Sequence, residues 1–184
     1  MAQQAPADSA GQSQASAAQD QNSAGQDQPG DELVPPTSAS DFTSSQLESV
    51  LSGSWRSQTN RARDRYRHPR ETLQFFGVQP DQTVVEITPG GGWYSEILAP
   101  LLNDNGHYVA AVQAPKDGDE AHRDNDALHR KFAADKAHYG HAKFVEFDPK
   151  APVFGPPGSA DAVLTFRNVH NWMMANTAPA MFKA

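Results

Sequence analysis

The chain has 184 residues, room for one ordinary domain and too few for two large ones. Its net charge of −7 lies wholly in the first 55 residues, which hold seven acids and no Lys or Arg; the remaining 15 acids and 15 bases cancel. A neutral body offers no footprint for nucleic acid or an anionic membrane, and the absence of cysteine excludes disulfides, thiolate zinc sites and a cysteine nucleophile.

Residues 1–42 are mainly Gln, Ala, Ser, Gly, Asp and Pro, with no aromatic residue before Phe42. So little apolar surface cannot offset the entropy of ordering, so the composition predicts a disordered tail. No charged and apolar leader opens the chain, and no apolar run approaches the roughly 18 residues of a membrane span. The start Ala2-Gln3-Gln4-Ala5-Pro6-Ala7 would nevertheless suit a mature end after signal cleavage. The compartment therefore reads as cytoplasmic as written, and as periplasmic or secreted if a signal peptide precedes it. The domain proper is expected over 43–184.

A helix is expected from Ser44, with Leu47, Val50 and Leu51 at helical spacing behind Thr43-Ser44-Ser45 as N-cap residues. Residues 56–70 form an arginine-dense arm: Arg56, Arg61, Arg63, Arg65, Arg67 and Arg70. It either folds over a ligand site and holds an anionic acceptor, or is a solvated helix face. Pro69 and Glu71 then open a short helix closed by Gly77.

Four strands are expected next, at 83–87, 108–112, 143–147 and 162–166. The first, Thr83-Val84-Val85-Glu86-Ile87, runs into Pro89-Gly90-Gly91-Gly92, and a helix begins at Trp93 with Ile97, Leu98, Leu101 and Leu102 as its apolar stripe. Trp93 and Tyr94 either pack in the core or line a cleft. A polar loop at 114–124, a helix from about Asp126 to His138 and a Pro- and Gly-rich loop at 149–160 complete the connections. His138 and His141 have a metal-like spacing, but no third ligand accompanies them, and they read as a helix end rather than a metal site. Strands alternating with helices predict an α/β fold with an open, mainly parallel, Rossmann-like sheet.

The order of acid-bearing strand, Gly-x-Gly turn, helix and three further strands resembles class I S-adenosylmethionine (SAM)-dependent methyltransferases over residues 70–184. The runs VVEITPGGGWYSEILAP, RYRHPRETLQFFGV and DAVLTFRNVHNW are similar to a bacterial subfamily of predicted methyltransferases, many of them exported. The resemblance implies SAM as cofactor and a small-molecule methyl acceptor as partner; the neutral body and the lack of a long apolar run predict no nucleic-acid or membrane partner. The resemblance also implies site roles. Glu86 would help hold the cofactor's ammonium, and Thr88, Gly90, Gly91 and Gly92 would form the backbone turn against its methionine end. Gln113 would meet the ribose, Asp148 the adenine, and Asn168 cofactor or acceptor. His170 would be the base that deprotonates a hydroxyl acceptor.

Each residue has a plainer reading. Glu86 could pair with an arginine, the glycines could simply make a tight turn, and Asp148-Pro149 favours a turn by itself. Asn168 could cap a helix, Arg167 could form a surface ion pair, and His170 could cap the helix or pack on Trp172. The chain departs from the family pattern at Thr88, where the opening glycine is expected, at Gln113 in place of an acid, and at Asn171 in place of Asp in His-Asp-Trp. A nicotinamide site fits less well, because the acid precedes the glycines and Gln113 stands where the later acid should be. A class I methyltransferase sheet has seven strands and this sequence supplies four. A truncated or non-catalytic methyltransferase-like fragment is therefore the other expectation.

Overall fold

The computed structural model describes residues 39–114 and 120–184. The tail expected over 1–42 lies outside the described residues up to position 38. Helix α1, Ala39–Leu51, starts five residues earlier than Ser44. Thr43 therefore sits inside it instead of capping it, and its hydroxyl donates across to the Gln79 side-chain oxygen at 2.7 Å.

The arginine arm breaks into two single-turn helices, α2 (Gln58–Arg61) and α3 (Asp64–Arg67), followed by α4 (Pro69–Phe75). Proline at the first turn of α4 costs no hydrogen bond, and Gly77 takes a φ of 67° after its end.

Strand β1, Thr83–Ile87, is rich in β-branched residues and buried on both sides. It leads through the glycine turn to α5, Ser95–Leu101, whose residues are buried apart from Pro100. The helix begins two residues after Trp93, since positions 90–94 are still turn. Strands β2 (His107–Gln113), β3 (Lys143–Phe147) and β4 (Ala162–Thr165) pair in parallel in the order β3-β2-β1-β4. Val85 faces Val109 on one side and Val163 on the other.

Helix α6 covers Glu120–Ala134, so the end of the expected 114–124 loop is helical, while 115–119 lie outside the described residues. It stops at Asp135, whose side chain caps the short α7 (Lys136–Tyr139) by accepting the His138 N–H. After β4 the chain makes α8 (Val169–Met174) and α9 (Ala178–Lys183), separated by Asn176 in a left-handed conformation.

Side chains alternate across the sheet as the two-residue strand period requires. Val84, Tyr108, Ala110, Val112 and Leu164 join one core with residues of α1, α5 and α6. Val85, Ile87, Ala111 and Phe147 face the other way and pack with Trp172 and Met181. The result is a four-stranded parallel sheet with flanking helices, a Rossmann-like α/β architecture. Order along the sheet reverses at β1, which has β2 on one side and β4 on the other. The carboxyl ends of β1 and β4 therefore flank the position where open α/β sheets present a crevice.

Candidate functional site

A cleft of about 800 Å³ opens at that crevice. Its wall includes Glu86 and Thr88 from the end of β1, Gly90 and Gly91 from the turn, Gln113 from the end of β2, and Asn168 and His170 after β4. The volume falls within the roughly 300–1,000 Å³ of small-molecule pockets. Two of the residues singled out in the sequence lie elsewhere. Asp148 is exposed and turns back on itself, accepting the Lys150 N–H at 3.0 Å. Gly92 is buried, with its φ at 76°.

Gly92 has a packing reason to be glycine. A Cβ there would stand 2.6 Å from Leu128 Cδ1, so a side chain at position 92 would force Leu128 of α6 to shift. One helical turn earlier, α6 brings Asp124 over Gly90, and Asp124 also lines the cleft. The sequence signal for Asp124 was present but weak: Leu128 and Phe132 mark the buried stripe of α6, and one turn back from Leu128 is Asp124.

Thr88, where a glycine was expected, has a φ of 54°. Left-handed backbone is uncommon for a β-branched residue, and such outliers concentrate where a loop is over-determined by its surroundings. Here the surroundings are visible. The Thr88 N–H donates to the Ala111 carbonyl at 2.8 Å, and the Thr88 carbonyl accepts from Asn168 Nδ2 at 3.3 Å. Asn168 Nδ2 also reaches the Ile87 carbonyl at 3.3 Å and Thr165 Oγ1 at 3.0 Å. Its side chain therefore ties the ends of β1 and β4 together and does not cap α8.

Glu86 is only 2% exposed. The Tyr108 and Ser95 hydroxyls both donate to its Oε2, at 2.6 and 2.9 Å. Neither donor carries charge, and burial outweighs them, so the carboxyl is pushed up to about 7. Burial, then the Glu86 charge, pushes the Tyr108 phenol well above its ordinary value. Oε1 of Glu86 has no donor among the described residues. The N–H groups of Gly90, Gly91 and Trp93 likewise make no bond to a backbone carbonyl, whereas Gly92 N–H donates to the Pro89 carbonyl at 3.1 Å. Residues lining the cleft thus include a carboxylate with an oxygen, and backbone N–H groups, that have no hydrogen-bond partner among the described residues.

His170 is exposed on the cleft and does not pack on Trp172, whose ring meets Phe182 edge-on at 5.7 Å. Among the described residues nothing hydrogen-bonds its imidazole. Trp93 and Tyr94 line the cleft; Tyr94 stacks on Phe166 with centroids 3.5 Å apart. Away from the cleft, His138 Nδ1 bonds to Asp135 and His141 Nδ1 to the Asn103 carbonyl, each at 2.8 Å.

No family model matches the chain, and no curated protein matches it. Solved structures similar to it include the following two. A protein-L-isoaspartate O-methyltransferase is 16% identical with a TM-score of 0.42, over 58% of this chain and 32% of that one. A SAM-dependent methyltransferase from Aquifex aeolicus is 17% identical with a TM-score of 0.46, over 70% of this chain and 58% of that one. The likeness is distant and concerns the fold alone. The chain spans about a third of the length of the first and under three fifths of the second.

Proposed function

We propose that the cleft binds S-adenosylmethionine and that the protein transfers its methyl group to a small-molecule acceptor. The observation that carries this reading is the pairing of a buried carboxylate, Glu86, with the free N–H groups of Gly90, Gly91 and Trp93 on one cleft wall. An amino acid end, with its ammonium and carboxylate, needs both. The sequence resemblance of residues 70–184 points to the same ligand.

The cofactor would supply an electrophilic methyl on a sulfonium centre. The chain's own groups would do the rest. Glu86 Oε1 would hold the ammonium, and the free amides of the turn would receive the carboxylate. Gln113 would meet the ribose diol through an uncharged amide, a weaker partner than an acid. Asp124 supplies a further acceptor on the wall, over Gly90. His170, at the mouth of the cleft, would take the proton of a hydroxyl acceptor, and Asn168 holds the two strand ends at fixed separation.

A second reading, binding without turnover, is favoured by one observation. The His170 imidazole has no orienting hydrogen-bond partner among the described residues, whereas bases in proton transfer are normally held by a third group. Calorimetric titration of the full chain with SAM, and separately with NADH, tests the cofactor assignment. Saturable heat with SAM and none with NADH is the expected result; no saturable heat with SAM contradicts it. Transfer of labelled methyl from SAM to a panel of small hydroxyl and carboxyl compounds, lost in His170→Ala with SAM affinity intact, separates catalysis from binding alone.

A further inference from the structure

Three guanidinium groups from two separate parts of the chain line the same cleft: Arg63 and Arg67 from the arginine arm, and Arg167 from the turn after β4. Three other arginines of the arm have partners. Arg56 is buried and forks onto Asp64 at 2.7 and 2.8 Å, Arg70 pairs with Glu48, and Arg65 lies 4.5 Å from the Tyr66 ring centroid. Among the described residues, no carboxylate stands at ion-pair distance from Arg63, Arg67 or Arg167. The carboxylates on the same wall are Glu86, held by Tyr108 and Ser95, and Asp124, over Gly90.

Arg67 is held in place without an acid. Its guanidinium sits 4.6 Å from the Trp93 ring centroid, and Trp93 Nε1 donates to the Asn60 carbonyl at 2.9 Å. Burial, then the charges of Arg63 and Arg167, hold its pKa below the ordinary value, so the three cations feel one another. Arg167 has a φ of 63°, a backbone conformation that disfavours a long side chain. Like charges converging without an acid between them raise the energy of the free protein, and a bound oxyanion would offset it.

Resting on the methyltransferase reading above, we infer that the methyl acceptor is anionic, and that Arg63, Arg67 and Arg167 hold its carboxylate or phosphate beside His170. Planar guanidinium forks suit either oxyanion. In the transfer itself, the acceptor's nucleophilic atom forms a bond to the methyl carbon as the carbon–sulfur bond breaks. The electron pair of that bond stays on sulfur, which leaves as a neutral thioether, and a hydroxyl acceptor gives its proton to His170.

The test is calorimetric titration of the full chain, at constant ionic strength, with inorganic phosphate and with benzoate, each with and without saturating SAM. The variants are Arg67→Ala, Arg67→Lys and Arg167→Gly; the last removes a guanidinium while suiting the local backbone, so it remains informative if Arg67→Ala fails to fold. One of the two anions is expected to bind saturably and more tightly than chloride. Its affinity should fall about tenfold or more in Arg67→Ala and Arg167→Gly, partly recover in Arg67→Lys, and leave SAM affinity unchanged. Binding no better than chloride overturns the inference. So does loss of SAM affinity in the arginine variants with anion affinity intact, because the arginines then serve the cofactor, and the cofactor reading stands. Arginine-dependent anion binding with no SAM binding has the opposite meaning: the cofactor reading falls, taking the acceptor role with it.

Discussion

Glu86 makes the stability of the molecule depend on pH. Its folded carboxyl titrates at about 7 against an ordinary 4.5, because burial costs the charged form more than two neutral hydroxyl donors return. A raised carboxyl is most favourable to the fold when protonated. Its contribution is complete below 4.5 and is lost as pH rises through 7, a loss of roughly 3 kcal/mol at about 1.4 kcal/mol per pH unit. In urea melts at pH 5 and pH 8, Glu86→Gln is expected to lose less stability across that interval than the wild type does; an equal loss would place the titration elsewhere. Two turn residues make a matched pair. Thr88→Gly relieves a φ of 54° and removes no side-chain hydrogen bond, so stability should hold or rise by about 1 kcal/mol, with glycine's own entropy opposing the gain. Gly92→Ala meets both a φ of 76° and Leu128 at 2.6 Å, and should cost about 2–4 kcal/mol in the same melts. If Thr88→Gly proved the more damaging of the two, the turn would not be built as described.

At the scale of elements, what could be read in the sequence was local. Strand β1 begins and ends where its β-branched run does, and β3 coincides with Lys143–Phe147, because short apolar runs bounded by turn residues leave little freedom. Helix boundaries were harder. The expected 126–138 helix is two helices, α6 and α7, because Asp135 caps the second through the His138 N–H, and a capping aspartate looks like an ordinary surface acid. The expected cap at Thr43 fails because α1 begins at Ala39, and the bond its hydroxyl makes to Gln79, 36 positions away, leaves no trace in local pattern. The cleft was legible at Glu86, Thr88, Gly90 and Gly91, which follow one another along the chain. It was not legible at Asp124, which depends on how α6 packs on the glycine turn, while the arginine arm was legible only as two alternatives, an arm over a ligand site or a solvated helix face. Asn168 is the element-scale link between β1 and β4. Asn168→Ala leaves two strand-end carbonyls without their side-chain donor and should cost about 1–3 kcal/mol in thermal or urea unfolding. A cost within error of zero would mean that the strand ends hold themselves.

Across the whole molecule, the two faces of the sheet are built differently. One is closed by α1, α5 and α6, and Val84, Tyr108, Ala110 and Val112 of its central strands are almost fully buried. The other is covered by the 149–160 loop, α8 and α9, and there Val163 on β4 remains 53% exposed; Phe182, Met173 and Met174 are exposed as well. The crevice lies at the carboxyl ends of the strands, where the helix-packed face supplies Glu86 and its two hydroxyl donors. The account stands or falls on whether that carboxylate receives an ammonium. The direct measurement is the affinity for SAM of the wild type and of Glu86→Gln, titrated calorimetrically at pH 5.5 and pH 7. Wild-type affinity should rise about tenfold between the two as Glu86 ionises, and the variant should bind more weakly and without that rise. Equal affinities in the two proteins, or a wild-type affinity flat across the interval, would contradict it.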